Sequence, residues 1–145
     1  MRGLAASICL VGVACGGGDG AGPGTTHSLS GAWDYRSTQL ADGHATTCNA
    51  LSGSAMTLAQ NGRTFSGTIN GGLTACLTGS VPWTGGFGQG VVADGIIIGD
   101  SVAFYIDNGQ WRSFGRFVTE DSLAGIVNAV YTNLILTGYW SAKRQ

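Results

Sequence analysis

Apolar and polar residues alternate with a period of two along almost the whole chain after residue 28, and no helical stripe of useful length occurs. This alternation is typical of strands that bury one face and expose the other. The clearest unit is residues 54–69, SAMTLAQNGRTFSGTI, in which Asn61-Gly62 is a strong signal for a two-residue hairpin turn. A turn there pairs Leu58 with Phe65 on one apolar face. The sequence therefore predicts an all-β domain made of antiparallel hairpins.

Further turn signals divide the rest of this domain. Asp94-Gly95 is expected to be the turn of a second hairpin within residues 90–107, followed by a bend at Gly99-Asp100. Later turns are expected at Asn108-Gly109, Glu120-Asp121 and Thr132-Asn133. Together with the opening segment and the segment around residue 76, these divisions predict about eight strands.

Glycine recurs in the middle of several predicted strands. An interior glycine weakens a flat strand, so its repetition indicates strong local bending, as closure of a small sheet into a barrel requires. Closure also removes exposed strand edges. We therefore predict an antiparallel meander of about eight strands closed into a small barrel, with a β-sandwich as the alternative. The glycines concerned are Gly67, Gly79, Gly115, Gly125 and Gly138.

The first 28 residues differ in character from the rest. Arg2 precedes an apolar run from Leu4 to Ala14, which is shorter than the about 20 residues that a membrane-spanning helix needs. The run has the dimensions of the apolar core of a secretory signal. Cys15 follows directly, and the glycine-rich residues 16–28 are typical of a flexible linker. We expect a signal peptide at 1–14, Cys15 and its linker at 15–28, and the β-domain at 29–145.

The block Gly12-Val13-Ala14-Cys15 resembles the lipobox of bacterial lipoproteins, although leucine is usual where Gly12 stands. The resemblance implies that residues 1–14 are removed and that Cys15 becomes an acylated N-terminus. Two or more acyl chains anchor a protein stably to a membrane. The expected location is the bacterial cell envelope, and Gly16 after the cysteine favours the outer membrane. The alternative is simple secretion, to the periplasm or beyond.

Composition excludes some function classes and suggests a disulfide. Charged residues are 10% of the chain and its net charge is −1, so neither a nucleic-acid footprint nor a polybasic membrane patch is expected. Cys48 and Cys76 remain in the domain, and two thiols in an exported domain are expected to form a disulfide. A metal site at these thiols lacks a CxxC spacing or a nearby histidine pair.

Gly31-Ala32-Trp33 resembles the GxW motif that opens lipocalins and related calycin barrels. The resemblance implies a tryptophan at the barrel base that packs against an arginine from the end of the barrel. Arg144 continues the apolar face of the last strand and is the candidate for this cation–π partner of Trp33. Avidin-like barrels open with a similar strand, but neither group's ligand set can be matched here.

No motif for catalysis, a metal or a cofactor is recognised, so we expect a non-catalytic domain, with a hydrolase as the alternative. His27 lies in the linker, where we expect no fixed geometry, and Asp42 with His44 is expected to form a solvated loop. Two roles stay open for the barrel: a small hydrophobic ligand inside it, as in calycins, or a filled interior that presents loops to an envelope partner. The inward residues, lining either a ligand or the core, are expected to be Trp33, Tyr35, Leu58, Phe65, Phe104, Trp111 and Trp140.

Overall fold

The computed structural model describes residues 27–107 and 109–145, all of whose regular structure is β-strand. No helix in these two ranges is long and apolar enough to cross a membrane. The expected signal peptide, Cys15 and most of the expected linker lie outside the described residues. The twelve strands are β1 (Gly31–Ser37), β2 (Leu40–Ala41), β3 (Thr46–Cys48), β4 (Leu51–Asn61), β5 (Thr64–Asn70), β6 (Leu73–Thr78), β7 (Val81–Gly86), β8 (Gln89–Ile98), β9 (Ser101–Ile106), β10 (Trp111–Thr119), β11 (Ser122–Tyr131) and β12 (Leu134–Arg144).

Eight of these strands form a closed antiparallel barrel. Their order is β1-β4-β5-β8-β9-β10-β11-β12, and β12 pairs back onto β1 from Trp33↔Arg144 to Ser37↔Trp140. The prediction of a small all-β barrel is confirmed, and the sandwich alternative is wrong because one continuous sheet closes on itself. An eight-stranded barrel of this kind has the lipocalin-like architecture, with an interior about wide enough to be filled by side chains.

The four remaining strands extend the sheet outside the barrel, so the total number of strands exceeds the predicted eight. They leave the meander in two excursions, β2 with β3 between β1 and β4, and β6 with β7 between β5 and β8. The excursions pair in the order β2-β3-β6-β7 and join the barrel through Thr137↔Ala41. Cys48 and Cys76 are cross-strand partners on β3 and β6, and their Sγ atoms lie at disulfide-bond distance. The expected disulfide therefore joins the two excursions.

The first predicted hairpin is present with a shifted turn. Asn61 pairs with Thr64, so the two-residue loop is Gly62-Arg63 rather than Asn61-Gly62, and Leu58 faces Gly67 instead of Phe65. Positive φ is required at Gly62 alone, whereas an Asn-Gly type I′ turn needs it at both central residues. The shift preserves the alternation of faces, so Leu58 and Phe65 still point into the barrel.

Two other predictions were wrong, one of a turn and one of a strand interior. Asp94-Gly95 lies inside β8 as a bulge, where the register with both neighbouring strands shifts, and the hairpin turns instead at Gly99-Asp100. Asp94 adopts φ 51°, which an aspartate tolerates better than most residues. Gly79, expected within a strand, forms the turn between β6 and β7. Positive φ serves a bulge at Asp94 and a turn at Gly79.

A glycine accommodates a large ring inside the barrel. Gly115 on β10 lies opposite Gly125 on β11, and Gly125 lies opposite Trp140 on β12. A Cβ atom on Gly115 would approach the Trp140 ring to 2.7 Å, too close for an ordinary contact. The indole Nε1 donates to the Phe114 carbonyl oxygen at 3.2 Å. Gly115 therefore makes room for the tryptophan.

We expect Gly115→Val to destabilise the domain, because the added side chain meets the Trp140 ring and the Ala124 backbone. Overpacking of a filled core costs about 1–3 kcal/mol. Chemical denaturation of both proteins measures the loss. Ser101→Val, an exposed site on the neighbouring strand, is the control and should change the free energy of unfolding by less than about 0.5 kcal/mol. Equal effects at both sites would contradict this account of the glycines.

Candidate functional site

The barrel interior is the site that the sequence predicts, and all seven inward candidates lie in it. Each of them is at most 4% exposed. Strand alternation explains the placement, since each residue sits on the inward parity of its strand. The seven are Trp33, Tyr35, Leu58, Phe65, Phe104, Trp111 and Trp140.

Aromatic rings fill this interior in a continuous series. Phe104 lies between Phe65 and Trp140, with ring centroids 5.8 and 5.2 Å apart. Trp140 then stacks on Tyr35 at 5.7 Å with an interplanar angle of 14°. Edge-to-face and offset-stacked rings at such separations are favourable beyond the area that they bury. The centre of the barrel is therefore packed with side chains.

Phe87 closes one end of the barrel, and sequence reasoning missed it. Its ring meets Trp111 edge-on at 5.1 Å and Tyr35 at 6.2 Å. The ring lies against Gly72, where any Cβ atom would collide with it, and backbone hydrogen bonds join Phe87 to Gly72 and Gly72 to Gly88. An aromatic residue within Gly85-Gly86-Phe87-Gly88 was the available signal. We call this the Phe87 end.

Four polar atoms are buried in the molecule without a hydrogen-bond partner among the described residues. They belong to side chains on β1, β4 and β10, and each of these residues is 0% exposed. Tyr35 and Ser54 are cross-strand partners, and Trp111 and Ser113 are two residues apart on one strand face. Burial raises the pKa of the Tyr35 phenol far above its usual value, and an interaction with the Ser113 hydroxyl only partly opposes the rise, so the Tyr35 hydroxyl stays neutral. The atoms are Tyr35 Oη, Ser54 Oγ, Trp111 Nε1 and Ser113 Oγ.

The opposite end carries the tryptophan and arginine that the calycin resemblance implies. Arg144 Cζ lies 4.4 Å from the centroid of the buried Trp33 ring, and the two residues are cross-strand partners. The guanidinium also donates to the carbonyl oxygens of Ser28 and Ser30 and to the Asp121 carboxylate. The arginine thus holds the incoming chain onto the barrel. We call this the tether end.

His27 is also held at the tether end, so the expectation that it has no fixed geometry is wrong. Its ring stacks on Phe117 with centroids 4.0 Å apart. Nε2 lies 2.8 Å from an Asp100 oxygen and Nδ1 lies 3.0 Å from a Glu120 oxygen. Two carboxylates on the two ring nitrogens fit a doubly protonated imidazolium, since both nitrogens then donate. These acids sit in the β8–β9 and β10–β11 turns, which the sequence does not bring together.

The other candidate groups form no comparable site. The Asp42 carboxylate accepts the backbone N–H groups of His44 and Thr46, which lowers its pKa and makes this loop an Asx turn. Within residues 27–107 and 109–145, no group of three or more histidine, cysteine or acidic side chains is arranged to hold a metal ion. Cys15 lies outside the described residues.

Comparison with known proteins returns no relative. No family model matches the chain, and no curated protein or solved structure is significantly similar to it.

The His27 contacts make a pH-dependent contribution to stability. The hydrogen bond that the imidazole donates to Asp100, partly opposed by desolvation and aided by Glu120, raises the pKa of His27 above its usual value. A raised folded-state pKa stabilises the fold below the unfolded pKa of about 6.5, and this stabilisation is lost as pH rises through the folded value.

We expect His27→Gln to lower the melting temperature at pH 5.5 and to have progressively less effect as pH rises towards 8.5. Thermal unfolding across this range, followed by circular dichroism, measures the difference. His44→Gln, in the exposed loop, is the matched control and should leave the pH profile unchanged. A His27→Gln penalty that is constant over the whole range would contradict the imidazolium assignment.

Proposed function

We propose that this protein is a lipid-anchored component of the bacterial cell envelope whose β-barrel is a non-catalytic domain that acts through its surface. One observation carries the proposal: a packed barrel begins where the glycine-rich segment after Cys15 ends. His27 and Ser28 are already held against the tether end, by two carboxylates and by Arg144. An anchor at Cys15 would therefore hold a folded domain at one defined end.

The tether has suitable dimensions for this role. Eleven residues separate Cys15 from His27, and a glycine-rich chain of that length has a root-mean-square reach of about 20 Å. Each buried methylene of an acyl chain contributes about 0.8 kcal/mol, so more than one chain is needed for stable attachment. Such a protein would stay at a membrane, most suitably the outer membrane, while its barrel remained free to rotate beside it.

The cross-strand cysteines agree with an oxidising envelope compartment. Cys48 and Cys76 lie at disulfide-bond distance and are each 1% exposed. Disulfides persist in the periplasm and outside the cell, and cytosolic thiols are kept reduced. This supports export of the domain, whether it is anchored or simply secreted.

The filled interior favours a surface role over a ligand inside the barrel. Aromatic rings occupy the barrel from Phe65 to Trp111, and the Phe87 end is closed. In such a domain the rigid barrel presents its outer face and loops, and the partner would be another envelope component. We propose no catalytic residue.

We expect Cys15→Ser to abolish incorporation of radiolabelled palmitate and to change the distribution of the protein in membrane fractions. Cys9→Ser, within the apolar run, is the matched control and should keep both the label and the wild-type fractionation. Labelling and immunoblotting of fractionated bacteria that express each full-length chain measure the two effects. Palmitate incorporation into the Cys15→Ser protein would refute the anchor.

A second candidate function is binding of a small ligand in the barrel interior. The buried Ser54 Oγ and Trp111 Nε1 atoms favour it, because leaving a buried polar group unsatisfied costs about 1–3 kcal/mol. Ligand sites are typically apolar cavities with a few such convergent groups. The Phe87 ring, which contacts both Tyr35 and Trp111, would then be the movable closure over the site.

For this second function we expect saturable one-to-one binding of the apolar probe N-phenyl-1-naphthylamine, with energy transfer from the interior tryptophans. Phe87→Ala should raise the association rate, about tenfold, because it removes the ring that closes one end. Leu73→Ser, at a 63% exposed site, is the control and should bind like wild type. Stopped-flow fluorescence measures the rates. Absence of saturable binding by the wild type would eliminate this candidate.

A further inference from the structure

The outer wall of the barrel carries an apolar row that no function proposed above uses. On five consecutive strands, one residue of each strand is the cross-strand partner of the next in the set. Their side chains therefore share the outward face of the sheet. The four large ones are between 39% and 66% exposed. We call this set the outer row: Ile96 on β8, Ala103 on β9, Phe114 on β10, Ile126 on β11 and Tyr139 on β12.

Bare apolar surface of this kind usually marks an interaction site. Beside Phe114 the wall is indented by a surface groove of about 260 Å³, which Ile96 and Ala103 also line. Ile98 and Ser101 line the same groove towards the tether end. The row therefore combines protruding rings with a recess, and it spans five of the eight barrel strands.

Basic side chains flank the outer row. Arg112 and Arg116 lie two residues to either side of Phe114 on β10, so all three face outward. Neither arginine forms an ion pair among the described residues. Strands β9 to β12 contain no aspartate or glutamate. Asp94 of the β8 bulge shares a groove with Arg112, and Asp100 adjoins Ser101, the cross-strand partner of Arg116.

The rest of the outer wall is different. The outward residues of β4 and β5 are mainly small or hydroxylated, for example Thr57, Ser66 and Thr68. On β1 the outward Arg36 is paired with Asp34 at 2.8 Å, and Asp34 lies opposite Lys143. Among the described residues, exposed apolar side chains and unpaired positive charge therefore occur together on only one side of the barrel.

This combination identifies the partner by its chemistry. A second copy of the chain would bring the two arginines of each barrel against those of the other, which is unfavourable across an apolar contact. A membrane with anionic headgroups satisfies both features. Guanidinium groups bind phosphate through paired donors while their stems lie along apolar surface. Aromatic residues such as Phe114 and Tyr139 suit the boundary between headgroups and acyl chains.

We infer that the outer row, with Arg112 and Arg116, docks the side of the barrel onto an anionic phospholipid surface. The acyl anchor is a separate attachment: the docking face lies on the wall of the barrel, the tether leaves from its end, and docking does not require Cys15 to be acylated. An anchored domain would be held close enough to the membrane for this face to reach it.

A fluorophore on the outer row tests the inference. Full-length protein carries Cys9→Ser and Cys15→Ser, so that no acyl anchor can form and the one accessible thiol is an introduced cysteine. An environment-sensitive nitrobenzoxadiazole label is placed at Ile126→Cys. The matched control is the same label at Leu73→Cys, which is more exposed and lies outside the barrel on β6. Unchanged thermal unfolding shows that both labelled proteins remain folded.

On vesicles of phosphatidylcholine with phosphatidylglycerol, the label at residue 126 should shift to shorter wavelength and brighten, and the label at residue 73 should not. Arg112→Gln with Arg116→Gln should raise the lipid concentration for half-maximal change by about twenty-five-fold, since each basic residue near an anionic surface contributes about a factor of five. Arg63→Gln, in the β4–β5 turn, is the control cation and should have no such effect.

Three results would overturn the inference: equal responses at residues 126 and 73, the same response on pure phosphatidylcholine, or no response at all. A shift at residue 126 that grows with protein concentration and needs no lipid would show self-association instead, which also contradicts it. Because every protein in the assay lacks Cys15, failure here is independent of whether the lipid anchor exists.

Discussion

The pairing of β12 with β1 is the constraint on which the rest of the structure depends. It turns an open sheet into a barrel, and so gives each of eight strands an inward and an outward face. The same register places Arg144 opposite Trp33, where the guanidinium covers the indole. The guanidinium also donates hydrogen bonds to the carbonyl oxygens of Ser28 and Ser30. The same contacts therefore close the barrel and hold residues 28–30 against it. Loss of this register would expose two strand edges and release the linker together.

The interior and the exterior of the barrel have different chemistry because of that closure. Inside, a series of aromatic rings is interleaved with glycines, and Trp140 occupies the room left by Gly115. Outside, the alternate residues of the same strands form the outer row and its flanking arginines. A packed interior supports a role for the surface, and the buried Ser54 Oγ and Trp111 Nε1 atoms are the feature that keeps an interior ligand as the second candidate.

Some features of this fold could be predicted from the sequence, and others could not. Alternation and turn residues predicted the all-β barrel, the inward set and the Cys48–Cys76 pair, since all of these follow from parity and composition. The hairpin register, the bulge at Asp94 and the turn at Gly79 were misassigned, because positive φ is common to turns and bulges and neighbouring strands decide between them. The two excursions and the Phe87 closure were missed, since each depends on segments distant in sequence.

The sequence by itself determined the strand faces, the apolar N-terminal run that ends at Cys15 and the absence of any basic run, because these are local patterns along the chain. Only the tertiary structure decided which residues meet. His27 reaches Asp100 and Glu120 across 73 and 93 positions. The outer row likewise collects one residue from each of five strands. Such sites arise from cross-strand register, and register is set by closure of the whole sheet.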